Sequence, residues 1–410
     1  MNAMISERLV KSEILTINDF LEKYDILTSY NIKNGVVLDY NFGLGNRSHK
    51  ILPVIQLAQP KHAKYISKIF KEVYHGTYPF RRFENEREIE FMIKNPNYFL
   101  LIFKTIENKI VGCVGAKLNF KEKNGYIFGY VIKKEFQGKF DIKKSWIGSL
   151  VFIWKLFKNR ILIWTSEVRT FCKTPQFCDS FVGLKPIAFL PNKDIFNNRI
   201  ESEFFTIIYD ELVMNKYRGK FIPKLIRQVL NYYYYSNRRY NIGKILIENP
   251  NLKLNKKLIL ELKNKLTIRT ESDKFGIKFI KFSYNKQGSY FQFIYNSVSN
   301  NIEKITYRAN FLEELWTYVE QLKLFIKKYN IRYVECFISA YKPNHQKIFC
   351  NNGFKPRGYI PFFHYNIEKG WFEDVVLFNY YKGKIDSNLK YNLIPETINL
   401  YYSSKNRIII

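Results

Sequence analysis

The feature that most constrains this chain is an internal match at constant spacing. Gly183-Leu184-Lys185-Pro186 is repeated as Gly353-Phe354-Lys355-Pro356, a separation of 353 − 183 = 170 positions. The match continues through Phe189-Leu190-Pro191 and Tyr359-Ile360-Pro361, and the same spacing pairs Gln176 with Gln346 and Glu203 with Glu373. One short match arises by chance. Several at a single gapless spacing, on corresponding predicted elements, do not. A chain of 410 residues also has room for two cores. The shared phrase has a local meaning. Its glycine closes a short helix in the left-handed conformation. The lysine before proline is pushed into extended backbone. The second proline is expected to stop the strand at a turn.

Hydrophobic spacing supplies the elements around the repeat. Ala63, Ile66, Phe70 and Val73 recur at helical spacing within 61–74, and a second helix is expected over 84–95, ended by Asn95-Pro96. Strands are expected at 51–57, 98–105, 109–118 and 126–133. A helix over 145–157, a strand over 161–168, a short helix over 175–182 and strands over 185–190 and 203–209 complete the unit. The second unit reads as a hairpin at 277–284 and 289–298, a helix at 311–329, a strand at 333–339, a helix at 344–351 and strands at 354–365 and 374–380. The fold class is therefore α/β with mixed (α+β) character: two tandem domains, each a twisted mixed sheet flanked by helices. The expected division is an N-terminal extension (1–49, with a helix at 14–27 and a strand at 36–40), a first domain (50–212), a basic and aromatic linker helix (213–250), a second domain (251–385) and a peripheral C-terminal tail (386–410).

Composition narrows the function classes. No apolar run reaches the roughly 20 residues that span a bilayer. Residues 1–11 lack an apolar block behind a basic segment, so a secretory signal is not expected. Five scattered cysteines without a CxxC pair argue against a zinc site or a disulfide framework and for reduced thiols in the cytoplasm; no metal is expected. The net charge of +30 suits any polyanion. It also suits an AT-rich genome that writes lysine freely, so nucleic acid stands as a possible partner but not the favoured one. The linker, with Arg218, Lys220, Arg227 and Arg239 among Tyr217, Phe221 and Tyr232 to Tyr235, has two readings. It is either a phosphate-contacting and base-stacking surface or a helix lying across two domains with snorkelling basic side chains; the second is preferred.

The order of elements over 51–209 resembles the GNAT superfamily of acyl-CoA N-acyltransferases. So does Lys109-Ile110-Val111-Gly112-Cys113-Val114-Gly115, which is similar to that family's third strand. Tyr130 to Lys139 is similar to its fourth strand running into the pyrophosphate loop, which reads Gln/Arg-x-x-Gly-x-Gly/Ala. The resemblance covers 51–212 and, more weakly, 275–383, where the second copy is degenerate. It implies acetyl-CoA or another acyl-CoA as co-substrate and direct attack by the amine of a small molecule or protein. It also implies a helix N-terminus that receives the pyrophosphate and a strand amide that polarises the thioester carbonyl.

Carried onto this sequence, the cofactor segment is Val131, Ile132, Lys133, Gln137, Gly138, Lys139, Phe140, Asp141, Ile142 and Lys143. Phe140 and Ile142 stand where the family has small residues, with Asp141 between them. The family's acid, a tyrosine four residues before the glycine of the repeated phrase, is replaced by Asp179 in the first copy and Phe349 in the second. Asp179 is the candidate proton donor and Glu135 the candidate base acting through water. His75 and Tyr78 are the candidate acceptor residues in the first copy, and His364 and Glu373 in the second. Two other functions remain open: a non-catalytic binding protein, and a transferase that uses aminoacyl-tRNA.

Overall fold

The computed structural model describes residues 13–24, 32–40, 50–284 and 288–404. Residues 1–12, on which the signal-peptide expectation rests, lie outside the described residues, as do 25–27 of the expected first helix. The chain begins with α1 (Ile17–Lys23), β1 (Val36–Val37) and β2 (Val54–Leu57), followed by α2 (Ala63–Tyr74), α3 (Glu86–Lys94), β3 (Tyr98–Lys104), β4 (Ile110–Asn119) and β5 (Asn124–Ile132). Then come α4 (Ile142–Leu156), β6 (Ile163–Arg169), α5 (Lys173–Phe181), β7 (Lys185–Phe196) and β8 (Arg199–Tyr209). The middle of the chain carries α6 (Glu211–Asn215), β9 (Lys224–Leu225), α7 (Leu230–Tyr240), β10 (Leu246–Ile247) and α8 (Lys256–Lys265). The second half continues with β11 (Thr267–Ser272), β12 (Ile277–Ser283), β13 (Tyr290–Asn296), β14 (Asn301–Arg308), α9 (Leu312–Lys328) and β15 (Tyr333–Ser339). It closes with α10 (Pro343–Asn351), β16 (Lys355–Asn366), β17 (Trp371–Tyr381) and α11 (Pro395–Ser404).

Fifteen of these strands form one sheet, in the order β1-β2-β3-β4-β5-β6-β8-β7-β16-β17-β15-β14-β13-β12-β11. Apart from the short β1, the order reads alike from both ends. Each half has one parallel pair, β5 with β6 and β14 with β15, joined through α4 and α9. The halves meet where β7 and β16 run antiparallel, with Ala188 opposite Gly358. These two positions are 170 residues apart, the spacing of the sequence match. Only glycine fits there: a Cβ on Gly358 would lie 2.4 Å from the Ala188 Cβ and 2.6 Å from the Ile187 carbonyl oxygen.

Alternation along the strands divides the core into layers. On β3, Leu101 and Phe103 pack with α1 and α4 on one face. Leu100 and Ile102 pack with α2 and α3 on the other. Gly183 and Gly353 take φ of 87° and 89° after α5 and α10, the left-handed close that the repeat requires.

The structure corrects several boundaries. Pro191 and Pro361 do not stop their strands. Both sit in register shifts, between Leu190 and Asp194 and between Ile360 and His364. A missing N–H is tolerated at such a bulge, so β7 and β16 run on to Phe196 and Asn366. The C-terminal segment is not peripheral: Leu389, Leu393, Leu400 and Tyr401 are buried, and α11 packs on β7 of the first half. Reciprocally, α7 of the linker packs on β16 of the second half, burying Tyr232 and Tyr233. The repeat's glutamines hold these crossings. Gln176 donates to the Asn392 carbonyl at 2.8 Å, and Gln346 donates to the Lys224 carbonyl at 3.1 Å. The linker is thus several elements rather than one helix. The strands β11 and β14, and the helix α8, were not anticipated. Among the described residues no helix is long and apolar enough to cross a membrane.

Candidate active site

The site begins with a strand pair that parts. Ladder pairing between β5 and β6 joins 124–127 to 163–166 and then stops, although the strands continue to Ile132 and Arg169. On its other edge β5 stays paired with β4 but carries an extra residue: Cys113 faces Val131 while Gly115 faces Phe128. Gly129 in this bulge has φ of +63°, and a Cβ there would lie 3.2 Å from the Phe70 ring. A bulge beside an unpaired edge re-aims backbone groups into the gap.

The gap is a cavity of about 580 Å³. On one side it is walled by Gln137, Gly138, Ile142 and Trp146 at the start of α4 and by Cys172, Pro175, Cys178 and Asp179 on or beside α5. On the other side stand Tyr74, Tyr78, Phe80 and Phe83 around the α2–α3 connection. Asp179, Glu167, Asp194, Glu203, Arg82, Lys117, Lys304 and Arg169, the last paired with Glu201 at 2.6 Å, are its acidic and basic residues. The second half contributes Lys304 directly. It also fastens the α2–α3 connection, through Asn296 Nδ2 donating to the Pro79 carbonyl at 2.9 Å and the Lys274–Glu88 salt bridge at 2.9 Å.

Asp179 is 4% exposed. Its Oδ2 accepts from Ser166 Oγ at 2.7 Å and Thr206 Oγ1 at 2.8 Å. Burial raises its carboxyl to about 7, although the two hydroxyls pull the other way by favouring the charged form. Glu203, 2% exposed, has no hydrogen bond or salt bridge to its side chain among the described residues. Burial, then the neighbouring Asp194 and Glu167 carboxylates, push its carboxyl well above the usual range. Asp194, raised to about 8 mainly by burial, accepts from Asn301 Nδ2 at 2.8 Å. Glu167 accepts from Tyr126 Oη at 3.1 Å and pairs with the buried Lys193, which reaches Glu335 of the second half at 3.2 Å.

Of the residues expected from sequence, Val131, Ile132, Gln137, Gly138, Ile142, Asp179 and Tyr78 line this cavity. The others lie off its wall. Phe140 is a core residue, 1% exposed, with its ring near Phe103. Asp141 caps α4, accepting from the Lys144 amide at 3.1 Å. Lys133, Lys139 and Lys143 sit on the same loop and helix turn without facing the gap. Glu135 is exposed, off the cavity wall, and paired with Lys109 at 3.3 Å. His75 is the left-handed close of α2 and accepts from Lys134 Nζ at 2.6 Å. His364 and Glu373 face each other on the β16–β17 hairpin, outside the cavity.

Glu203, Asp194, Glu167 and Arg169 were not read as site residues. The available signal was an acid inside an apolar strand, as in Glu203-Phe204-Phe205. In the second half, Phe349 stands where the first half has Asp179. It packs near Tyr307, whose hydroxyl lies 3.1 Å from His345 Nδ1. Among the described residues no group of three His, Cys, Asp or Glu is placed to hold a metal ion.

Residues 63–139 match the family model described as Acetyltransferase (GNAT) family. No curated protein matches. Among solved structures, ribosomal-protein-S5-alanine acetyltransferase from Vibrio fischeri is 15% identical, covering 41% of this chain and 96% of that chain with a TM-score of 0.33. Mutant forms of the spermidine/spermine N-acetyltransferase from Vibrio cholerae are 13% identical, covering 40% and 98% with a TM-score of 0.34. The family match supports an acyltransferase enzyme.

Proposed function

From the acetyltransferase-family match over residues 63–139 as premise, we propose that this chain transfers an acyl group, acetyl foremost, from acyl-coenzyme A to an amine by direct attack. The observation that carries this reading is the parted β5–β6 pair, whose open edge and bulge line the cavity together with the buried Asp179. Residues 128–132 offer backbone groups to an extended pantetheine arm as another strand would. An amide at the Gly129 bulge is aimed to stabilise charge on the thioester oxygen. Gly138 has open space around it and receives the phosphates at the turn before α4. The fit is less generous than in a glycine-rich loop, because Asp141 already occupies one N-terminal amide of that helix.

Chemistry follows from the two carboxyl groups. An acceptor ammonium entering beside Glu203 favours the charged carboxylate, whose own proton is released to water; the carboxylate then takes the ammonium's proton and leaves a neutral amine. The amine nitrogen bonds to the thioester carbon, the C–S bond breaks, and the proton that the acylated nitrogen sheds passes to water. Asp179, protonated up to about pH 7, delivers its proton to the departing sulfur. We read the second half as a degenerate copy of the same fold, since its strand order mirrors the first and Phe349 replaces the acid. Its part is to complete the acceptor side. On the scattered, odd set of cysteines we place the protein in the cytoplasm. The capped helix favours a second reading, a coenzyme A-binding protein without turnover.

Calorimetry with coenzyme A and acetyl-CoA tests the proposal. Micromolar binding to the full chain, lost in Gly138→Trp, is the expected result. No binding at millimolar ligand overturns it. Binding without acylation of any amine in a broad screen selects the second reading.

A further inference from the structure

Three cations converge on the acceptor side of the cavity from three separate elements. Arg82 comes from the α2–α3 connection, Lys117 from β4 and Lys304 from β14 of the second half. Lys117 stands in a row across the sheet, with Tyr98 and Tyr126 as its register partners on either side. Lys304 is presented by an irregularity in β14, between Ile302 and Ile305, where its own φ is +54°. A lysine in that conformation is unusual and costs backbone strain. Neither lysine makes a salt bridge among the described residues. Arg82 has only a long pair to Asp273, at 3.8 Å.

The like charges act on one another. Lys304 first, then burial and Arg82, lower the Lys117 ammonium to about 8. Nearby acids do not offset this. Asp194 and Glu203 lie in the same cavity, where burial holds both toward their neutral forms until an ammonium enters beside Glu203. Glu167 is engaged by Lys193. Uncompensated cations lining a cavity, with aromatic rings beside them, make an anion site.

Resting on the acyltransferase reading, we propose that the acceptor is a small molecule carrying both an amine and an anionic group, phosphate or carboxylate. The anion is held by Arg82, Lys117 and Lys304, and the amine points to Glu203. The second half thereby supplies part of substrate selection rather than support alone. Polyamines, with a second cation where this site needs an anion, are excluded by the same charges.

The test uses the full chain and three ligands of similar size: phosphoethanolamine, β-alanine and putrescine. Calorimetry is expected to show binding of phosphoethanolamine or β-alanine and none of putrescine; which of the two binds more tightly separates phosphate from carboxylate. Lys304→Ala and Lys117→Met weaken anion binding on the order of tenfold, the loss of one charge-assisted contact. Coenzyme A affinity in the same variants is unchanged. Putrescine binding as tightly as the anionic amines, or anion affinity indifferent to both variants, overturns the proposal. So does a matching loss of coenzyme A affinity, which would assign the cations to the cofactor's phosphates. A chain that binds the anionic amines through Lys304 yet never binds coenzyme A refutes the acyltransferase reading and leaves the anion site standing.

Discussion

Asp179 decides two measurable properties at the scale of a single residue. Its carboxyl is raised from 3.8 to about 7 by burial, so the folded protein holds a proton that the unfolded chain releases between those values. Stability contributed by this group is fully present below about pH 4 and is lost as pH rises toward 7. The span corresponds to about 4 kcal/mol. Asp179→Asn is expected to flatten that part of the stability–pH profile, read by urea unfolding across pH 4 to 8; an unchanged slope would show that the carboxyl is not buried and neutral. The same variant is expected to lower kcat by about 10²-fold or more and to remove a decline in rate above pH 7, with coenzyme A affinity retained. The residue type was legible as an exception to the family's tyrosine. Its hydroxyl partners, Ser166 and Thr206, were not, because they arrive from strands 13 and 27 positions away.

The element that carries the site is the β5 bulge. Gly129 is the residue that permits it, since φ of +63° is reached without a Cβ. Gly129→Ala is expected to destabilise the fold by about 1–2 kcal/mol and to weaken coenzyme A binding, because relieving the strain re-registers the open edge. Thermal unfolding together with calorimetry checks this; a stable variant with intact binding would show that the bulge does not position the ligand. Alternating hydrophobicity made β5 readable as a strand. The bulge and the parting from β6 were not readable, because they depend on which neighbour each residue faces. The same reason explains Pro191: the sequence reads a stop, whereas the paired strand accommodates a shift and continues.

At the scale of the whole molecule, one close backbone contact and a buried ion cluster join the halves alongside the crossed helices. Gly358→Val places side-chain atoms where the Ala188 Cβ and the Ile187 carbonyl already are. It is expected to cost about 3 kcal/mol in denaturant unfolding; a neutral result would mean that β7 and β16 are not in register. Lys193, 1% exposed at its side chain, sits between Glu167 of the first half and Glu335 of the second. Lys193→Met leaves these carboxylates facing each other and is expected to destabilise by about 3–5 kcal/mol. That loss should diminish at low pH as the acids protonate, and a loss independent of pH would point to packing instead.

The sequence by itself determined the periodicities of the elements, the left-handed helix ends at Gly183 and Gly353, and the two-part plan behind the 170-residue spacing. These are local or repeated features, fixed by sterics and by which face of an element is apolar. Only the tertiary structure decided that Glu203, Asp194 and Glu167 share a cavity, that Phe140 is core, and that Lys304 joins Arg82 and Lys117. Those facts depend on side chains brought together over as many as 222 positions (304 − 82), by a sheet whose two halves close on each other. No local pattern encodes such a meeting, because it is set by strand order and register, and these are selected by burial of the whole core.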